Sequence, residues 1–97
     1  MEICVDANLV VKWYTPEDLR DEAVALLNEC RRLNIRIIAP DCLPSEAAST
    51  FRRKVHRGLI GADEGEEAVI LMIQTQIDYV NTIELVPDAW CIAEQYN

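Results

Sequence analysis

The sequence predicts a small α/β protein with a short parallel sheet. Three observations carry this. Short runs rich in β-branched residues, at 2–5 and 35–39, are separated by stretches with helical periodicity. The longer stretches open and close on helix start and stop signals. Strands that alternate with helices favour parallel pairing through right-handed crossovers. The 97 residues, 51% of them hydrophobic, suffice for one domain with a modest core.

Residues 2–5 read as a short buried strand, and residues 8–14 (NLVVKWY) as a short helix or turn packed inward. Thr15-Pro16-Glu17-Asp18 reads as the start of the next helix. Thr15 is its expected cap, Pro16 suits the first helical position, and the acids suit the positive end of the dipole. Ala23, Leu26, Leu27, Cys30 and Leu33 form its apolar stripe, Arg31 and Arg32 favour its C-terminus, and Asn34 ends it. Residues 35–39 (IRIIA) are the second strand, closed by Pro40-Asp41. Residues 45–57 form a helix with Ala47, Ala48, Phe51 and Val55 inward and Gly58 as the stop. Asp63 is the expected cap of the next helix, with Glu66 three residues on in the manner of a capping box. Its apolar stretch, residues 68–73, is continuous enough to predict cover on more than one face. A third strand falls within residues 79–86, at 82–86, and Pro87 opens a last helix carrying Trp90, Ile92, Ala93 and Tyr96. The order is β-α-α-β-α-α-β-α.

Nine basic residues face 17 acidic ones, for a net charge of −8. Bulk charge therefore argues against nucleic-acid binding. A polyanionic partner would need a local basic patch, a bound cation or a second chain. No apolar run reaches the roughly 18 residues of a membrane span, and no signal-like segment opens the chain, so no membrane partner is expected. Cys4, Cys30, Cys42 and Cys91 form no C-x-x-C pair and sit among apolar neighbours. That pattern fits buried thiols in a reducing cytoplasm.

In open parallel sheets, sites form outside the carboxyl ends of the strands. Asp6 follows the first strand, and Glu46 lies in the first turn of the helix after the second. If those strands are neighbours, the two carboxylates converge. They would repel and raise one pKa. Mg²⁺ or Mn²⁺, which take oxygen ligands, would resolve the conflict and attract phosphate. Each residue also has an ordinary role: Asp6 and Asn8 are capping types, and Glu46 suits a first helical turn. Two other phosphate chemistries fit less well. A haloacid-dehalogenase-like transferase needs a second acid where Asn8 stands, and a receiver domain needs an acidic pair where Cys4-Val5-Asp6 offers one acid. Gly58, Gly61 and Gly65 stand apart from any strand end, so no phosphate loop is present. Arg52, Arg53, Lys54, His56 and Arg57 form the one basic cluster, either an RNA-backbone contact or a solvated face that balances nearby acids.

Three blocks, V-D-A-N-L-V-V-K-W-Y, I-I-A-P-D-C-L-P-S-E-A-A-S-T-F-R-R-K-V-H-R-G-L-I and A-W-C-I-A-E-Q-Y-N, resemble in sequence and order a PIN domain of the VapC toxin type. The resemblance covers essentially the whole chain. It implies a PIN-like three-layer α/β fold and a divalent-metal-dependent endoribonuclease, the toxin of a toxin–antitoxin pair. It places Asp6 and Glu46 as metal ligands for Mg²⁺ or Mn²⁺ and Asn8 as the small polar residue that orients a water or phosphate. Arg52, Arg53, Lys54 and Arg57 would meet RNA. The family carries two further acids beyond its E-Q-Y-N helix, and this chain ends before both. Residues 1–97 are thus expected to be a single, C-terminally incomplete PIN-like domain that lacks the last strands of the family. Its site would be impaired, or it would be an inactive scaffold that binds an antitoxin. Loss of the neighbouring strand would leave the first strand at an edge, short and unblunted, and predicts a homodimer through strand addition or exchange.

Overall fold

The computed structural model describes residues 1–81. The protein is a mixed α/β fold: β1 (Glu2–Cys4), α1 (Ala7–Tyr14), α2 (Arg20–Arg32), β2 (Arg36–Pro40), α3 (Leu43–His56), α4 (Ala62–Gln74) and β3 (Asp78–Val80). The strands lie in the order β1-β2-β3, all parallel. Cys4 pairs with Ile38, and Ile38 with Asp78. The sheet continues past β1 through Val5 N–H to Ile38 O (2.9 Å) and past β2 through Asp41 N–H to Val80 O (3.0 Å). β1 and β3 are the two edge strands among the described residues.

Alternation along the strands divides the two faces. Val5, Ile37 and Ala39 join the main core, and Cys4, Ile38 and Val80 form a small cluster on the other face. All four helices contribute to the main core: Leu9, Val10, Val11 and Trp13 from α1, Ala23, Leu27 and Cys30 from α2, Leu43, Ala47 and Phe51 from α3, Ala68 and Met72 from α4. Both crossovers step the same way across the sheet, and crossovers of one hand then cover one face. Among the described residues the architecture is therefore helices over one side of a three-stranded sheet.

Several helix boundaries differ from the sequence expectation, each for a local reason. Thr15 does not start α2. It ends α1, with its N–H bonded to Val11 O (3.0 Å) and its hydroxyl donating to the same carbonyl (2.9 Å). That use of both donors at one carbonyl holds Thr15 inside, 2% exposed. α2 begins five residues later, behind Leu19 in the left-handed region (φ 65°) and without a side-chain cap. α4 is capped not by Asp63 but at Gly61, whose N–H donates to Glu64 Oε1 (3.0 Å). Leu33 is exposed rather than inward because α2 ends before it. Gly58 does act as a stop, with a positive φ of 72° that glycine adopts without strain.

The apolar run in α4 is covered on one stripe, at Ala68 and Met72, while Ile70, Leu71 and Ile73 stay exposed. A third strand forms at Asp78–Val80; the strand expected at 82–86 and the helix expected from Pro87 fall outside the described residues. Two features tie the elements. The Trp13 indole donates to Ala23 O (2.8 Å), joining α1 to α2. Arg36 pairs with both Glu2 and Asp78, bridging all three strands at their amino ends.

Candidate functional site

Asp6 stands at the carboxyl end of β1 and is the N-cap of α1. Its extended backbone (φ −113°, ψ 175°) turns the chain into the helix, and its Oδ1 accepts the Leu9 N–H (2.9 Å). The capping role foreseen as an ordinary explanation is thus real. It does not exhaust the residue, because a carboxylate has acceptor sites for more than one partner.

Glu46 stands at the matching end of β2. Pro40 closes that strand, Pro44 lies in the first turn of α3, and Glu46 follows two residues later, exposed, with its N–H on Cys42 O (3.2 Å). Pro in the first turn is well placed, since its missing donor would have had no helical partner. The parallel β1–β2 pairing brings the N-termini of α1 and α3 to one edge of the sheet.

The electrostatics report the same proximity. Burial pushes the Asp6 carboxyl above its ordinary value, the Leu9 N–H and the Lys12 charge oppose that, and the charge of Glu46 adds to the rise. Glu46 is the weakest of these influences, so the two carboxylates sense one another only slightly. They supply oxygen donors only, which is the chemistry that Mg²⁺ and Mn²⁺ accept. No cluster of three or more His, Cys, Asp or Glu with metal-ligand geometry occurs among the described residues. Asp78 belongs elsewhere: Arg36 holds it at the opposite, amino end of the sheet.

Asn8 faces Glu46 across a shallow depression of about 460 Å³, whose polar walls also include Ser45, Ser49, Thr50 and Arg53. Glu46, Ser49, Thr50 and Arg53 follow i, i+3, i+4, i+7 spacing, so they form one stripe of α3. The buried stripe of the same helix is Leu43, Ala47 and Phe51. This polar stripe was legible in the sequence, but only once the facing helix end was known.

The basic cluster is divided by the fold. Arg53 lines the depression with Glu46. Arg52 and His56 instead line an apolar groove between α3 and α4, floored by Phe51 and Val55. Lys54 is turned inward onto Glu17 Oε2 (3.0 Å), while Lys12 approaches Oε1 of the same carboxylate (3.4 Å). Both lysine side chains are almost covered, at 12% and 10% exposure. Arg57 is exposed beyond the end of α3. The Lys12–Glu17–Lys54 network was not foreseen; its signal was a lysine inside the apolar run VVKWY.

No helix among the described residues is long and apolar enough to cross a membrane. No protein-family model and no curated protein matches the chain.

Proposed function

We propose that the chain is a PIN-like, VapC-type endoribonuclease that works with Mg²⁺ or Mn²⁺. The observation that supports this reading is the placement of Asp6 and Glu46 at the carboxyl ends of adjacent parallel strands, Asp6 as the N-cap of α1 and Glu46 in the first turn of α3. Asp6 and Glu46 would hold the metal. A divalent cation there supplies Lewis acidity at a phosphoryl oxygen and lowers the pKa of a water. Asp6 is fixed for this task by its bond to Leu9, which sets the carboxylate at the helix end. Asn8 offers an amide donor and acceptor one residue into α1 to orient water or phosphate. The chain would act in the cytoplasm, restrained by a cognate antitoxin, with two copies joined along β1.

A second reading is a scaffold that binds an antitoxin or other protein without cleaving RNA. The exposed Ile70, Leu71 and Ile73 on α4 favour it, since exposed apolar patches mark protein contacts.

The test is cleavage of a structured RNA with Mn²⁺ or Mg²⁺, comparing the wild type with Asp6→Asn and Glu46→Gln. Cleavage that both substitutions abolish supports the nuclease. No cleavage, or equal cleavage by all three proteins, leaves the scaffold reading. Light scattering tests the pairing of copies, and a monodisperse monomer overturns it.

A further inference from the structure

Of the basic cluster on α3, one residue is built into the polar depression. We propose that Arg53 receives a backbone phosphate of the RNA beside Asn8 and Glu46, and that Arg52, Lys54 and Arg57 do not. The inference rests on the nuclease reading and gives that site its substrate contact.

Three observations carry it. First, Arg53 shares the walls of the depression with Asn8 and Glu46, on the face of α3 turned to the N-terminus of α1. Second, its guanidinium is tethered rather than loose. Arg53 Nη2 donates to Thr50 Oγ1 (3.0 Å), and that hydroxyl donates in turn to Glu46 O (3.0 Å). A hydroxyl with its proton on the Glu46 carbonyl presents only lone pairs to Arg53, so the relay pulls the guanidinium back along the helix toward Glu46. Third, among the described residues Arg53 forms no ion pair. Lys12, Arg32, Arg36 and Lys54 each have a carboxylate partner. A guanidinium keeps several donors after one bond to a neutral hydroxyl, and its planar fork matches phosphate.

The neighbours are excluded by position. Lys54 is covered and engaged by Glu17. Arg52 opens onto the α3–α4 groove on another side of the helix. An arginine beside Glu46 also answers the charge problem of the whole chain: it gives a polyanion a cationic foothold next to an acid.

The experiment measures binding of a fluorescently labelled RNA hairpin with an unpaired loop by anisotropy. Calcium replaces the catalytic cation, and the titration is repeated over a range of salt. The variants are Arg53→Ala, Arg53→Lys, Arg52→Ala, Thr50→Val and Thr50→Ser, each checked for folding by its thermal melt. Arg53→Ala should weaken binding roughly tenfold. It should also reduce the slope of log affinity against log salt by about 0.7, the value for one phosphate contact on a single strand. Arg53→Lys should keep the slope and lose about threefold, because the charge stays and the fork is gone. Thr50→Val should weaken binding while Thr50→Ser does not, which a role in stability alone would not produce. Arg52→Ala should change neither affinity nor slope. RNA binding by the wild type with equal losses in Arg53→Ala and Arg52→Ala overturns the inference and leaves the nuclease reading standing. A wild type that binds no RNA overturns both.

Discussion

Asp6→Asn separates the two roles of the residue at the centre of the site. Asparagine is as good an N-cap as aspartate, so the bond to Leu9 N–H survives the change. What disappears is the charge. The helix dipole favours that charge by about 0.3–1 kcal/mol. Burial and Glu46 oppose it, and the raised pKa of Asp6 says that the opposing effects win. The sign follows. A carboxyl whose folded pKa lies above its unfolded value contributes stability below that value and loses it as pH rises through the folded pKa. In EDTA, wild type and Asp6→Asn should therefore melt together below pH 3.8, and the variant should become the more stable as pH rises. Asp6→Ala should behave differently, because it also loses the cap, at about 1 kcal/mol. For a domain of this size that places its Tm some 4–8 °C below that of Asp6→Asn. If Asp6 is a metal ligand, adding Mn²⁺ should reverse the order. At a concentration of about ten times Kd, binding to the folded state alone contributes roughly 1.4 kcal/mol, which only the wild type should gain. Thermal melts by circular dichroism across pH, with and without Mn²⁺, measure all of this. Equal melting of Asp6→Asn and Asp6→Ala in EDTA would refute the cap. Equal Mn²⁺ shifts in wild type and Asp6→Asn would refute Asp6 as a ligand.

Three other substitutions test the frame around the site. Gly65→Ala should lower Tm despite the better helix propensity of alanine, because the new Cβ would meet Val55 Cγ2 at 2.6 Å. Overpacking of that kind costs about 1–3 kcal/mol against a gain of about 1, and a raised Tm would show that α3 and α4 separate easily. Glu17→Gln should cost about 1–2 kcal/mol, since it leaves the nearly covered Lys12 and Lys54 without their shared carboxylate; the figure is kept low because Glu17 is 30% exposed. A denaturant midpoint unchanged from wild type would show that both ammonium groups reach water instead. Trp13→Phe should cost about 1 kcal/mol through loss of the indole bond to Ala23 O, read from the same denaturant curves. No change there would mean that packing alone joins α1 to α2.

The sequence revealed what depends on local pattern. The two strands around Ile3 and Ile37 were legible from their β-branched runs, and α3 from its apolar stripe and the Gly58 stop. Asp6 and Glu46 were legible because their placement after strands needs only topology. The misses share one cause: a residue type has several uses, and tertiary contact selects among them. Thr15 is a good helix cap, yet it closes α1 because its hydroxyl and N–H both find Val11 O. Asp63 had the spacing of a cap, yet Glu64 reaches back three residues to the N–H of Gly61, which caps the helix instead. Lys54 read as one of five positions in a basic cluster, and the fold instead sets it against Glu17 of the loop after α1.

The same selection explains how a chain of net charge −8 could hold a polyanion. Much of its positive charge serves the frame. Arg36 joins the strands, Arg32 pairs along α2 with Glu29, and Lys12 and Lys54 fix the α1–α2 connection through Glu17. Arg52, Arg53 and Arg57 take part in none of these pairs, and they sit in the second half of α3 and just beyond it. The buried stripe at Leu43, Ala47 and Phe51 fixes how α3 turns, and so assigns Arg53 to the side of Glu46 and Arg52 to the groove. The core of one helix thus decides which cation lies beside Glu46. A substitution that rotates α3, such as one that enlarges Ala47 at its fully buried position, should impair RNA binding without touching a charged residue.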